Sequence, residues 1–288
     1  MSKIFVAGAA GNIGTALLAS LNQAGAEVVA GVHDPDKAKV LKDLGVDARP
    51  FEFEDPDSMV RAMNGCNRMF LVIPLQEKLT RWGHLAVEAA KQAGIEYIVR
   101  TSGYAASSDA HWRLGREQGM VDQFVEDSGI PFTVLRPNTF MQNFTTVLTD
   151  MVKSGTIALP EEDAKVSYID VRDIADCSAK LLMEGGGEHV NKMYALTGPE
   201  GLSGAEVATQ ISQASGRDVT YLSTTEEAFI ETLTTMGIPE WNINMLVSLT
   251  RVVKLGMIGN VTKAVEFLTG TPARNFSDFV AEHAPIWK

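Results

Sequence analysis

The run Gly8-Ala9-Ala10-Gly11-Asn12-Ile13-Gly14 is the first place where residue types and spacing point to chemistry. It follows an apolar stretch at 4–7 and opens residues 12–24, where Ile13, Ala16, Leu17 and Leu21 recur with helical spacing. A strand–turn–helix junction that holds a pyrophosphate needs glycine for three reasons. One glycine makes the tight turn, one lets the phosphates approach the backbone, and one permits close helix–sheet packing. The helix N-terminus then offers unpaired N–H groups and a positive dipole end. Gly8, Ala10, Gly11, Asn12, Ile13 and Gly14 are therefore read as a dinucleotide-phosphate cradle.

A second group, His33-Asp34-Pro35-Asp36-Lys37, follows the apolar stretch 27–32. An acid at this point hydrogen-bonds a ribose 2′-hydroxyl, whereas a cation accommodates a 2′-phosphate. Both kinds are present. His33 and Lys37 suit a phosphate, while Asp34 suits a hydroxyl or caps the helix that Pro35 begins. Other chemistries find no footing. No two of the five histidines stand four apart with an acid, so no metal centre is expected. Cys66 and Cys177 lack ligand spacing, and no Gly-x-Ser-x-Gly elbow supports a hydrolase.

Positioning these residues falls to apolar runs at 4–7, 27–32, 46–53, 69–73, 97–101 and 132–135. They alternate with amphipathic stretches near 12–24, 82–93 and 111–127. Asp34-Pro35 and Asp55-Pro56 repeat one helix-start signature. The alternation predicts an α/β fold, a Rossmann-type doubly wound parallel sheet. The C-terminal third reads as a smaller, mostly helical lobe, with a capping box at Ser203–Glu206, helices near 225–236, 240–255 and 275–284, and a late strand near 193–196. Residues 1–155 are expected to form the dinucleotide-binding domain, with part of 165–197 returning to it. Residues 156–288 are expected to be mainly a substrate-binding lobe. Ligands sit at strand exits in such sheets, so Ser102 and Tyr104, at the exit of the fifth strand, are the candidate catalytic contacts.

The GxxGxxG spacing resembles that of atypical short-chain dehydrogenase/reductases, particularly the NmrA-like group. That group includes NAD(P)H-dependent quinone oxidoreductases and triphenylmethane-dye reductases. The resemblance spans nearly the whole chain. It includes residues 45–58 (GVDARPFEFEDPDS), 129–135 (GIPFTVL) running into Arg136-Pro137-Asn138-Thr139-Phe140-Met141-Gln142-Asn143, and 166–175 (VSYIDVRDIA). It implies an NADP(H) site in preference to NAD(H), because relatives using NADP often carry Arg where His33 stands. It also implies Ile73 and Pro74 against the ribose, Phe53 near the adenine and Asn138 beside the nicotinamide. Phe140, Met141 and Gln142 would border the substrate pocket. Trp112 would offer a flat apolar wall there, and His84 would face the cleft.

Typical members of the wider superfamily carry a Tyr and a Lys four residues apart on the helix after the fifth strand. Here that helix reads Gln118-Gly119-Met120-Val121-Asp122, and residues 105–128 hold no Tyr or Lys in replacement. Alcohol–ketone chemistry by the usual proton donor is therefore not expected. Hydride transfer to a quinone, dye, enone or similar conjugated small molecule needs little protein acid and fits better. The competing reading is a non-catalytic dinucleotide-binding redox sensor that regulates a partner protein. A sugar-nucleotide epimerase or dehydratase is disfavoured, since those enzymes generally use the missing pair.

The 288 residues carry 25 Lys+Arg against 36 Asp+Glu, a formal charge of −11, with 45% hydrophobic and 21% charged residues. That composition excludes a disordered or collagenous chain. The acid surplus and the scattered cations exclude nucleic acid as an expected partner. No apolar run approaches the roughly 20 residues that span a bilayer. The first residues enter a strand with no cleavable signal before them. The expectation is a cytoplasmic protein, away from membranes, monomeric or homodimeric.

Overall fold

The computed structural model describes residues 2–288. Strand β1 (Lys3–Val6) is apolar from Ile4 onward and buried, and α1 (Asn12–Gln23) turns Ile13, Gly14, Leu17 and Leu21 inward as one stripe. There follow β2 (Glu27–Val32), α2 (Pro35–Asp43), β3 (Asp47–Pro50), α3 (Pro56–Met63), β4 (Arg68–Val72) and α4 (Leu79–Gln92). Next come β5 (Tyr97–Thr101), α5 (Arg113–Asp127) and β6 (Phe132–Pro137). Helices α2 and α3 start as their Asp-Pro signatures dictate. Asp34 accepts from the Asp36 and Lys37 N–H groups, and Asp55 accepts from the Ser58 N–H.

The seven-stranded sheet runs β3-β2-β1-β4-β5-β6, then the late strand Lys192–Leu196. The pairings of β1 through β6 are all parallel. The late strand advances with β6: Asn191 N–H donates to Phe132 O, and Asn138 N–H donates to Leu196 O. This is the doubly wound architecture that the alternation predicts. Strands buried on both faces read as continuous apolar runs, and β4 and β5 are nearly that. Phe5, Phe51, Met59, Met63, Met69 and Leu71 form a core continuous with Val87 of α4 and Val121 and Val125 of α5.

The chain divides into two compact units. The first comprises residues through 111, 115–136 and 174–194; the second comprises 112–114, 137–173 and 195–288. The second unit holds helices Gly204–Ser215, Glu226–Thr235, Glu240–Lys254, Ala264–Thr269 and Phe276–His283. Ser203 and Glu206 form the capping box in both directions. Two small sheets join these helices, Thr156–Leu159 beside Thr220–Ser223 and Lys165–Val166 beside Leu202–Ser203. Its aromatic core gathers Phe144, Tyr168, Phe276 and Phe279, and the buried Trp287 indole N–H donates to Phe144 O. Among the described residues no helix is long and apolar enough to cross a membrane.

Candidate functional site

The strand order reverses between β1 and β4, so their exits border the crevice where sheets of this kind take ligands. The three glycines at that point meet different constraints. Gly8 has φ +66°, and a Cβ on it would stand 2.7 Å from Cγ1 of Val72 at the end of β4. A Cβ on Gly14 would stand 2.2 Å from Gly8 O, so helix and turn could not pack. Gly11 is exposed with an ordinary φ of −87°, and a Cβ there would meet only Gly8 O, at 3.4 Å. Nothing in the protein requires glycine at position 11; what it leaves is open space before the helix.

That helix end is also uncapped. The first 5→1 bond of α1 is from Thr15 N–H to Gly11 O, and the N-cap supplies no side-chain acceptor. The N–H groups of Asn12, Ile13 and Gly14 thus precede the intrahelical ladder and have no side-chain cap, in contrast to α2 and α3. Ala10, half-buried, lies within the turn. Beyond β4, Ile73 is buried and Pro74 is exposed.

At the exits of β2 and β3, the His33 side chain is 80% exposed, and its Nδ1 lies 2.6 Å from both oxygens of Glu52. Lys37 is exposed in the first turn of α2, while the Asp34 carboxylate is engaged in capping. Phe53 stacks on Trp82 at 5.4 Å and meets Phe51 edge-on at 5.0 Å. The Lys78 ammonium and, to a lesser degree, the Trp82 indole N–H donate to Glu54, holding its carboxyl below the usual range. His84 packs edge-on against Phe124 of α5 at 5.0 Å.

The exit of β5 holds a cluster that motif reading misses. Arg100, fully buried in β5, donates to Asp122 and, at 2.6 Å, to Gln118 Oε1. Arg136 at the end of β6 donates to Asp122 Oδ2 through Nε and Nη2, at 3.1 and 2.9 Å. Ser102 donates its hydroxyl to the same oxygen at 3.0 Å. A carboxylate only accepts, so Ser102 Oγ keeps acceptor capacity alone for any further partner. Gln118 and Asp122 are one turn apart, the spacing searched for Tyr and Lys, but they bind β5 instead of presenting a proton donor. Between them, Gly119 admits the backbone of the 103–110 loop, since a Cβ there would lie 2.1 Å from Ser107 C. Tyr104 is half-buried in that loop beside Ala105, whose φ is +53°. A charge inside the apolar run Tyr97–Thr101 was the available signal, because a buried arginine demands a partner.

In the second unit, Asn138 is buried with its amide committed. Nδ2 donates to Ser167 Oγ at 2.7 Å and Ile258 O at 2.8 Å, while Oδ1 accepts from Thr139 N–H. Gln142 donates to Asp170 and accepts from Val171 N–H. Phe140, half-buried, bridges to Ile169, and Met141 is 1% exposed. Trp112 is half-buried next to Arg113, whose guanidinium lies 5.2 Å from the Trp241 ring. The structure thus gathers the glycine turn, Ile73, Pro74, His33, Phe53 and Ser102 in one unit, and Asn138–Gln142 and Trp112 in the other. Among the described residues no group of three or more His, Cys, Asp or Glu is placed to hold a metal ion.

Residues 1–267 match the model of the NmrA-like family. The NAD(P)H azoreductase of Xenophilus azovorans is 34% identical over 98% of both chains. The (4-alkanoyl-5-oxo-2,5-dihydrofuran-3-yl)methyl phosphate reductase of Streptomyces griseus is 31% identical, again over 98% of each. Among solved structures, the NADPH-dependent quinone oxidoreductase QOR2 of Escherichia coli, complexed with NADPH, aligns with a TM-score of 0.87 at 25% identity. The alignment covers 97% of this chain and 99% of that one.

Proposed function

The chain belongs to the NmrA-like family, and from that premise we propose that it is an NAD(P)H-dependent reductase of conjugated small molecules: quinones, dyes, enones and their like. The observation that carries this reading is the start of α1. An uncapped helix end, with a glycine that no protein atom requires, fits the pyrophosphate of a dinucleotide. The bound cofactor would supply the hydride; everything else falls to the chain. Gly8 and Gly14 shape the turn, Gly11 leaves room, and the N–H groups of Asn12 and Ile13 meet the phosphates. Ile73 and Pro74 border the ribose, and Phe53 with Trp82 offers an aromatic face to the adenine.

The acceptor class follows from the β5 exit. Ser102 has its proton engaged by Asp122, and α5 presents no Tyr or Lys, so the superfamily's usual proton donor to an alkoxide is missing. An acceptor whose reduced form spreads its charge over a conjugated system does not need one, and orientation can carry the rate. The names of the azoreductase, the dihydrofuranone reductase and the quinone oxidoreductase support that class. Lys37, and His33 in its protonated form, support NADPH over NADH.

The test is absorbance at 340 nm with purified protein, NADPH or NADH, and a panel of quinones, azo and triphenylmethane dyes, enones and simple ketones. Oxidation with some conjugated acceptors and none with simple ketones is expected. Dinucleotide binding with no turnover across the panel overturns the reading in favour of a redox sensor.

A further inference from the structure

We propose that the His33–Glu52 pair makes binding of a 2′-phosphorylated dinucleotide take up a proton, while the unphosphorylated form binds without one. The proposal rests on the dinucleotide site described above. It begins from the imidazole tautomer. His33 Nδ1 lies within hydrogen-bond distance of both Glu52 oxygens. An ionised carboxylate has no proton to give, so Nδ1 carries the hydrogen and donates it to Glu52. In neutral His33 the remaining nitrogen, Nε2, is then a bare lone pair. The side chain is 80% exposed, so Nε2 is open to a ligand.

A lone pair is a suitable partner for a ribose 2′-hydroxyl, which donates a hydrogen bond to it or to Glu52. It is the wrong partner for a 2′-phosphate, whose oxygens are acceptors and carry negative charge. The conflict is removed when one proton from solvent binds Nε2. The imidazolium then donates to Glu52 through Nδ1 and to the phosphate through Nε2, lying between two anions. Other charged groups nearby do not supply an alternative donor of equal placement. Asp34 is engaged as a helix cap, Glu54 is held by Lys78 and Trp82, and Asp36 adds negative charge. Lys37 lies a turn into α2 and draws the phosphate without distinguishing protonation states. Glu52 is thus a specificity-determining residue that sequence reading passes over. It fixes the tautomer that makes neutral His33 favour the hydroxyl.

The linkage is visible in binding alone. NADP⁺ and NAD⁺ are titrated calorimetrically into the protein near pH 7.5, in two buffers of different ionisation enthalpy. Wild-type protein, His33→Gln and Glu52→Ala are compared. The expected result is net proton uptake on binding NADP⁺ and none on binding NAD⁺, with NADP⁺ affinity falling as pH rises. His33→Gln offers an amide donor that does not titrate, so the uptake disappears while the phosphate's own ionisation remains. Glu52→Ala frees the tautomer, lowering the uptake and shifting preference towards NADP⁺. Equal uptake in wild type and His33→Gln, or equal uptake with both dinucleotides, overturns the proposal. Absence of binding by either dinucleotide overturns the site reading itself, a distinct result.

Discussion

At the residue scale, the glycines of the first turn separate folding from binding because their constraints differ. Gly14 faces protein: any side chain meets Gly8 O and Ala9 Cα at 2.2 and 2.7 Å, and both are backbone atoms that cannot swing aside. Gly14→Ala is expected to destabilise the protein by about 3 kcal/mol, the upper part of the overpacking range. Gly11 faces open space, and an alanine methyl fits at 3.4 Å from Gly8 O. Gly11→Ala should cost only about 1 kcal/mol, since alanine is a poorer N-cap than glycine. It should nevertheless weaken dinucleotide binding by about tenfold or more, since the methyl stands where phosphate would approach. Thermal melting paired with fluorescence titration of NADPH checks both. A Gly11→Ala protein with full affinity contradicts the cradle.

At the scale of elements, α5 holds the exit of β5 through charge. Burial pulls the Arg100 guanidinium down from its ordinary value, and Asp122 supplies the opposite charge that keeps it ionised. Removing one partner of a buried pair leaves the other uncompensated. Asp122→Ala strands Arg100 and deprives Arg136 and Ser102 of their acceptor, so a loss of about 3–5 kcal/mol in urea unfolding is expected. Ser102→Ala leaves both arginines paired and should cost about 1 kcal/mol. A similar cost for the two variants would contradict the view that charge, more than the Ser102 hydrogen bond, holds this exit. The same element marks the boundary of what the sequence makes legible. Strand–helix alternation, the Asp-Pro caps and the Ser203–Glu206 box each depend on neighbouring residues and are readable in one dimension. The Arg100–Asp122 pair spans 22 positions, and its role appears only when β5 and α5 are packed. Searching that helix for Tyr and Lys finds an absence, while the chemistry that fills it is written in Gln118 and Asp122. Glu52 is hidden for the same reason, since its partner His33 lies 19 positions away, beyond the end of β2. The sheets at 156–159 with 220–223 and at 165–166 with 202–203 are too short to show periodicity.

At the scale of the molecule, stability should respond to pH with an early maximum. Several carboxylates are held low by donors: Glu206 chiefly by the Ser203 backbone N–H and by Lys165, Glu226 by Arg251, and Asp170 by Arg172 and Gln142 against the opposing effect of burial. Their folded values lie below the unfolded ones, so their stabilisation is present above the ordinary carboxylate range and is lost as pH falls through the depressed values. Glu161 acts in the opposite sense. It lies in the second unit near Tyr168 and Tyr221, and burial pushes its carboxyl up to about 7. Its folded value exceeds its unfolded one, so the native state binds the extra proton between about pH 4.5 and 7. The associated stability is complete below that window and gone above it. The loss across the window is at most about 3 kcal/mol. A net charge of −11 adds self-repulsion in the same direction as the acids ionise. Melting temperatures across pH 4 to 8 should therefore peak near pH 5 and decline towards neutrality. Glu161→Gln, which keeps the shape and removes the titration, should flatten the decline between pH 5 and 7 while leaving the acid limb unchanged. If the variant declines as steeply as the wild type, the fall comes from the overall acid surplus and not from this buried carboxyl.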